Sequence, residues 1–405
     1  MKKGWEIKKL GEVCEFENGD RGVNYPSKAH RTETGLPFIN AGHLTSDGLD
    51  LDSMDYISRE RYNLLGSGKI KKGDILFCLR GSLGKFAKIQ EFSEGAIASS
   101  LVIVRPKLKV TSDFVMHYFE SKICSDMIAD FGNGAAQPNL SAGSLKNFEI
   151  PLPSLPEQQR IVVILNEVFE AIAKAKANAE QNLKNAKELF ESYLQELFAT
   201  KGEGWEEKTL GDIGKPSMCK RILKNQTSST GDIPFYKIGT FGKTPNAFIS
   251  KEIYNEFRTK YSFPKKGDIL ISASGTIGRR VRYDGEPAFF QDSNIVWIDN
   301  NEKQVLNDYL YVFYEFCDWQ PSKGATIARL YNSNLTSIKI AFPKSLEEQK
   351  NILKKINALS LETKKLEAIY QQKINDLEEL KKSVLQKAFA GELKENLKEH
   401  YAENA

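Results

Sequence analysis

The sequence predicts an α+β chain. Two similar mixed α/β domains are expected, separated by two long antiparallel helices that form a coiled coil, the whole built by internal duplication about a pseudo-twofold axis. Three observations predict this: a repeat running through the 405 residues, two long helical stretches with the same opening, and short strand-like runs at matching places in each half.

The repeat comes first, because a missed repeat misassigns the whole fold. GWEIKKLGEV at Gly4 recurs as GWEEKTLGDI at Gly204. KKGDILFCLRGSLGK at Lys71 recurs as KKGDILISASGTIGR at Lys265, and DFVMHYFES at Asp113 resembles DYLYVFYEF at Asp308. GAAQPNLSAGSLKNFEIPLP at Gly134 aligns without a gap on GATIARLYNSNLTSIKIAFP at Gly324. A period of roughly 190 to 200 residues is too long for a solenoid unit and marks duplication of a domain with its helix. The expected order is a first domain over 1–153, a central spacer helix over 154–200, a second domain over 201–343, and a distal spacer helix with a tail over 344–405.

Each helix opens on a capping signal. Ser154 precedes Pro156 and Glu157, and Ser345 precedes Glu347 and Glu348. Apolar residues then recur at helical spacing: Ile161, Leu165, Val168, Ile172, Ala175, Ala179, Ala186, Phe190, Tyr193 and Leu197 in the first. The second has Ile352, Ile356, Leu359, Leu366, Tyr370, Leu377, Leu380 and Val384. One apolar stripe requires a partner. The other helix is the nearest candidate, giving an antiparallel rod of roughly 60 Å with a domain towards each end. The domains carry β-like runs at Asp74, Leu101, Asp268 and Asn294, and amphipathic helices near Phe114 and Tyr309.

Composition excludes several classes. No apolar run is long enough to span a bilayer, and the basic start lacks the apolar core of a secretory signal. Five scattered cysteines, none in a CxxC, predict reduced thiols and a cytoplasmic protein. The formal charge of +4 permits nucleic-acid binding without demanding it. Enzyme signatures are missing. Gly239 to Thr244 ends in GKT, but Lys237 stands where a phosphate loop needs its first glycine. No HExxH occurs, and His30, His43 and His117 lack partners at ligand spacing. Neither a methyltransferase-type Asn/Asp-Pro-Pro-aromatic element nor a nuclease-like acidic cluster is present. No cofactor and no metal are therefore expected on this chain.

Polar and basic loops remain. Arg80, Ser82 and Lys85 sit in a glycine turn that matches Thr276, Arg279 and Arg280 in the second half. Backbone N–H groups and a cation in such a turn suit phosphate oxygens. Asn24, Tyr25 and Lys28 occupy a place similar to that of Lys220, Arg221 and Lys224, and Gln137 with Asn139 to that of Arg329. Arg and Lys suit guanine edges, Asn and Gln adenine edges. Two related domains with different loops can read two different half-sites. For any one of these residues, a surface loop is the competing reading.

At this point the chain resembles the DNA-specificity subunits of type I restriction–modification systems. The resemblance rests on GWEIKKLGEV and GWEEKTLGDI, the two KKGDIL turns, IPLPSLPEQQRIV and IAFPKSLEEQKNIL, and LQKAFAGEL at Leu385 echoed by LQELFATKG at Leu194. It covers essentially the whole chain. It implies two target-recognition domains, each reading one half of a bipartite, gapped site in double-stranded DNA. It implies that the helices space those domains and dock two modification subunits, which carry S-adenosylmethionine. Two restriction subunits, with ATP and magnesium, are optional members of such complexes. One departure stands out: Gln137-Pro138 has no Gln-Pro counterpart at Ile327-Ala328. The residues also leave open a protein-binding adaptor with a coiled-coil spacer, and a methylation-only or single-polypeptide-nuclease system of related design.

Overall fold

A computed structural model describes residues 2, 4–45, 48–132, 139–200, 202–320 and 328–393. The chain forms two compact units, Met1–Gln181 with Tyr370–Ala405, and Asn182–Ile369. The central helix Leu155–Ala199 and the distal helix Leu346–Ala390, 45 residues each, contribute a segment to both.

In the first unit, a four-stranded antiparallel sheet runs in the order Cys14–Asn18, Leu101–Pro106, Ile75–Cys78, Phe86–Lys88. All four residues of Ile75–Cys78 are buried, as a continuous apolar run requires. Ala96–Ile97 pairs in parallel with Leu36–Ile39 in a second sheet. Glu6–Lys9 pairs antiparallel with Glu149–Leu152, which joins the start of the globular fold to its end.

The second unit repeats these three arrangements. Its four-stranded sheet is Gly214–Ser217, Ile295–Asn300, Ile269–Ser272, Arg280–Arg282, again antiparallel. Phe289–Phe290 pairs in parallel with Ile233–Tyr236, and Trp205–Thr209 pairs antiparallel with Lys339–Pro343. The amphipathic helices expected near Phe114 and Tyr309 are Ser112–Glu120 and Asn307–Phe316. The α+β class and the duplication thus hold at the level of individual strand pairs.

Within the first unit the two long helices run antiparallel. Lys176 Nζ bonds Glu378 at 2.7 Å, Lys381 lies 4.6 Å over the Phe169 ring, and Arg160 donates to the Leu393 carbonyl at 3.3 Å. Phe389 enters the domain core against Phe114, at 5.2 Å between ring centres. In the second unit Phe198 and Ile352 pack against the core that contains Tyr309 and Leu353. One part of the expected seam differs. Leu366 is 43% exposed, while Thr363 is buried. The 3–4 rhythm set by Leu353 and Ile356 continues through Ser360, Thr363 and Glu367 to Tyr370, Ile374 and Leu377. Polar residues occupy the seam there, so the nearby leucines mimic it.

Among the described residues no helix is long and apolar enough to cross a membrane, and no group of three or more His, Cys, Asp or Glu could hold a metal ion. All five cysteines are free; Cys317 is half-buried and the others are buried. Burial pushes the Cys14, Cys124, Cys219 and Cys317 thiols up to about 12, which keeps them protonated and unreactive.

The start of the central helix is tied electrostatically. Arg160 grips Glu157 with two bonds of 2.8 and 3.0 Å, and Lys2 adds a third at 2.9 Å. Arg160, then Lys2, holds the Glu157 carboxyl down at about 2 against an ordinary 4.5. A depressed carboxyl stabilises the fold fully above its unfolded value and loses that contribution as pH falls through its folded one. Glu157→Gln is therefore expected to remove acid sensitivity between about pH 4.5 and 2, read as the unfolding midpoint against pH. Identical profiles for variant and parent would discard this assignment.

Candidate nucleic-acid interface

The two glycine turns are the same structure. In the first, Cys78 N donates to Lys85 O at 2.7 Å and Gly84 N to Cys78 O at 3.1 Å; in the second, Ser272 N donates to Arg279 O at 2.8 Å and Gly278 N to Ser272 O at 3.0 Å. Gly81 and Gly84 have φ of 81° and 83°, and Gly275 and Gly278 have 67° and 83°. Only glycine adopts that left-handed backbone cheaply, which is why GSLG and GTIG recur. Side chains of Arg80, Ser82 and Thr276 are exposed at these turns. Lys85 reaches the Leu44 carbonyl at 3.3 Å, and Arg279 the Phe241 carbonyl at 3.0 Å. Arg280 points elsewhere. It pairs with Glu315 at 2.7 Å and lies 4.5 Å over the Tyr311 ring, on the helix Asn307–Phe316.

The basic loops also correspond. Each leads into a short 3-10 turn, Lys28–His30 in the first unit and Lys224–Gln226 in the second. Counted from these turns, Asn24 corresponds to Lys220, Tyr25 to Arg221 and Lys28 to Lys224. Asn24 donates to the Leu64 carbonyl at 3.1 Å, and Tyr25 packs edge-on against Phe38. Lys28 is exposed. Lys220 sits 4.7 Å over the Tyr261 ring. Arg221 Nε donates to Asp292 Oδ2 at 2.8 Å, and Lys224 is exposed.

In the second unit three expected residues converge. Arg221, Lys224 and Arg329 line a cleft of about 480 Å3, together with Lys237, Gln291, Asp292, Ser293 and Asn294. Four cations face a single carboxylate. A neighbouring cleft of about 460 Å3 shares Ser293 and Arg329 and extends the surface to Met218, Tyr331 and Asn332. Arg329 is fixed between them. Its backbone bridges Ser274 in the glycine turn, and its guanidinium donates to the Ser293 carbonyl at 3.1 Å. Ser293 has φ of 59°, an uncommon conformation for a residue other than glycine.

The first unit presents different chemistry on the same backbone. Leu140 N donates to Leu79 O at 3.0 Å as Leu330 N donates to Ala273 O at 2.8 Å, so exposed Asn139 takes the place of Arg329. Ala98 N bonds Ile39 O as Gln291 N bonds Tyr236 O, so a methyl group stands where the second unit has an amide. The guanidinium over this loop comes instead from Arg21, which donates to Ser99 O at 3.2 Å. Gln137 lies outside the described residues. Sequence reasoning missed Lys237, Gln291 and Asn294. Their signal is positional: Gln291 and Asn294 lie between the paired runs PAFF and IVWI, where the first half has only ASS.

A family model for the type I restriction modification DNA specificity domain matches residues 2–184 and again 202–379. A putative type I restriction enzyme specificity subunit of Haemophilus influenzae is 47% identical over 255 residues, which are 62% of this chain and 65% of that protein. This chain thus spans just under two thirds of that relative's length. The type I restriction enzyme MjaIX specificity subunit of Methanocaldococcus jannaschii is 24% identical across 97% of this chain and 94% of its own. Two solved structures share the fold. One, from work on complex assembly and conformational transition of the type I R-M system, has a TM-score of 0.78 at 20% identity and covers 97% of this chain and 99% of its own. The other, the HsdS subunit from Thermoanaerobacter tengcongensis, has a TM-score of 0.63 at 19% identity, covering 97% and 98%.

Proposed function

This chain belongs to the type I restriction modification DNA specificity family, with the family's domain present twice, and from that premise we propose that it is the non-catalytic reader of a bipartite, gapped DNA target. Each unit reads one half of the site. The two long helices act as the spacer that fixes the gap, and they offer the docking surface for two modification subunits. Those partners supply S-adenosylmethionine and the methyl transfer. Where restriction subunits join, they supply the ATP-dependent steps with magnesium. This chain's own residues position DNA and do no bond chemistry.

One observation carries the reading: the two units share their main sheet, their glycine turn and their end-strand pairing, and differ in the side chains set on that framework. At matching positions the first unit has Asn24, Tyr25, Ala98 and Asn139, and the second has Lys220, Arg221, Gln291 and Arg329. A shared framework holds each reader at the same orientation to a duplex, while the loops set the bases. The remaining expected contacts, Lys28, Arg80, Ser82, Lys85, Lys224, Thr276 and Arg279, suit phosphates, whose contribution is independent of sequence and falls with salt. Arg280, engaged with Glu315 and Tyr311, is assigned to holding its strand against the helix.

The decisive experiment maps adenine methylation across the genome of a host carrying the chain and its partner subunits. It is repeated after residues 202–343 are exchanged for those of another family member. The expected result is a split motif in which one half changes while the other half and the gap stay fixed. A motif that changes in both halves would remove the two-reader arrangement. No motif dependent on this chain would favour the protein-binding adaptor.

A further inference from the structure

The loop Gln291–Asn294 carries three side chains with carbonyl or carboxylate acceptors, and in each of them one oxygen is held by a protein donor. Gln291 Oε1 accepts the Ile238 backbone N–H at 3.0 Å. Asp292 Oδ2 accepts Arg221 Nε at 2.8 Å, and Asn294 Oδ1 accepts the Ser274 hydroxyl at 2.7 Å. The hydroxyls in the cleft turn their hydrogens inward: Thr227 donates to Lys224 O at 2.8 Å, and Ser293 to Met218 Sδ at 3.7 Å. At Gln291 itself the cleft offers a donor, the amide NH2, beside the amide of Asn294 and the cations of Lys224, Lys237 and Arg329; Asp292 Oδ2 is turned to Arg221.

The orientation of Gln291 is firmly set. A backbone N–H can only donate, so the atom 3.0 Å from Ile238 N is the amide oxygen. The backbone N–H of Gln291 is also bound, to Tyr236 O at 2.9 Å. Both ends of the residue are fixed to the strand Ile233–Tyr236 and its continuation. Among the described residues, Gln291 Nε2 has no partner.

We propose that Gln291 is a specificity-determining residue, and that the base it reads is a guanine in the half-site of the second unit. The proposal rests on the reading of that unit as a DNA reader. The guanine edge in the major groove presents two acceptors, N7 and O6, and no donor. Either acceptor can take the outward N–H of Gln291 Nε2. Cytosine brings its N4 donor, and adenine sets its N6 donor beside its N7 acceptor; Gln291, with its oxygen on Ile238 N–H and its NH2 outward, turns no acceptor to either donor. Thymine brings one acceptor and a methyl group. The first unit, with Ala98 at this place, makes no such selection.

Phosphate oxygens are also acceptors only, so the test must separate a base from the backbone. Gln291→Glu keeps an oxygen for Ile238 N–H and replaces the outward donor by an acceptor. In methylation mapping, wild type should give a motif with guanine in the half assigned to the second unit. Gln291→Glu should move that one position to cytosine or adenine, with the other half unchanged. A motif lacking guanine there, or an unchanged motif methylated more weakly, as a phosphate contact would give, overturns the proposal. Wild type giving no motif removes the DNA-reading premise itself, a different failure. Should the variant not fold, wild type suffices. Placing 7-deazaguanine at that position removes N7, and binding of the assembled complex to the duplex should weaken about fivefold or more. Equal binding overturns the assignment.

Discussion

Gln158→Leu should destabilise the first unit by about 4 kcal/mol, more than a typical core substitution. Gln158 is fully buried at the start of the central helix. Its Nε2 donates to the carbonyls of Lys109 and Pro153, both at 3.0 Å, and its Oε1 accepts Thr111 N–H at 3.1 Å. Leucine fills the volume and leaves three backbone groups without their partner, at roughly 1–3 kcal/mol for each that finds no substitute. Gln349 does the same in the second unit. It donates to Gln304 O at 2.7 Å and Pro343 O at 2.8 Å, and accepts Leu306 N–H at 2.9 Å. Gln349→Leu should cost a similar amount, and the two losses should add, since they share no partner. Denaturant midpoints give the energies, and hydrogen exchange at Thr111 and Leu306 locates the damage. A loss under about 1 kcal/mol with unchanged exchange would mean that these bonds do not hold the joint.

The second large effect exploits a difference between the copies. Asp74 and Asp268 occupy the same buried position, each 2% exposed. Arg105 grips Asp74 with two bonds of 2.7 Å and reaches Glu17 at 3.4 Å, while Glu17 caps the N–H groups of Gly68 and Lys69. In the second unit Asp299 stands where Arg105 would be and pairs outward with Lys265 at 3.0 Å. Asp268 keeps only Lys265 N–H at 2.8 Å and a longer contact from Asn307 at 3.4 Å, and burial pushes its carboxyl above the usual range. Arg105→Leu should thus cost about 3 kcal/mol or more, because a buried charge loses its partner. Asp268→Asn should be close to neutral at pH 7. A raised carboxyl favours the fold as pH falls and loses that contribution as pH rises through its folded value. Asp268→Asn should abolish this slope in the second unit's unfolding, measured from pH 4 to 7. Equal losses at pH 7 for the two variants would sink the contrast.

Much of this was readable in the residues. The duplicated turns, the strand-like runs at Asp74, Leu101, Asp268 and Asn294, and the helix openings all carry local chemistry: glycine where φ is positive, continuous apolar runs where a strand is buried, capping residues before a seam. The position of the seam near Thr363 was not readable, because polar residues fill it and the exposed Leu366 offers a false continuation. The cleft was half readable. Arg221, Lys224 and Arg329 stood out by charge, and the structure brings them together across more than a hundred residues of chain. Lys237 was noticed only for spoiling a phosphate loop. Gln291 gave no signal of type or spacing; its importance lies in which atom Ile238 occupies, a three-dimensional fact. The glutamines at the helix starts were visible as part of a repeated motif, yet nothing in the repeat said that they were buried.

The two glutamine joints have a consequence for how such chains change over time. Among the described residues, the side chains of Gln158 and Gln349 hydrogen-bond to the backbone alone. At these two joints the helix bonds no domain side chain, and needs only that a loop and a strand end arrive in the right place. A foreign domain delivering the same main-chain geometry can be spliced in here without retuning the glutamine joints, provided its core still meets the helix's apolar face. Recombination at the proline before each helix would then shuffle intact readers between lineages.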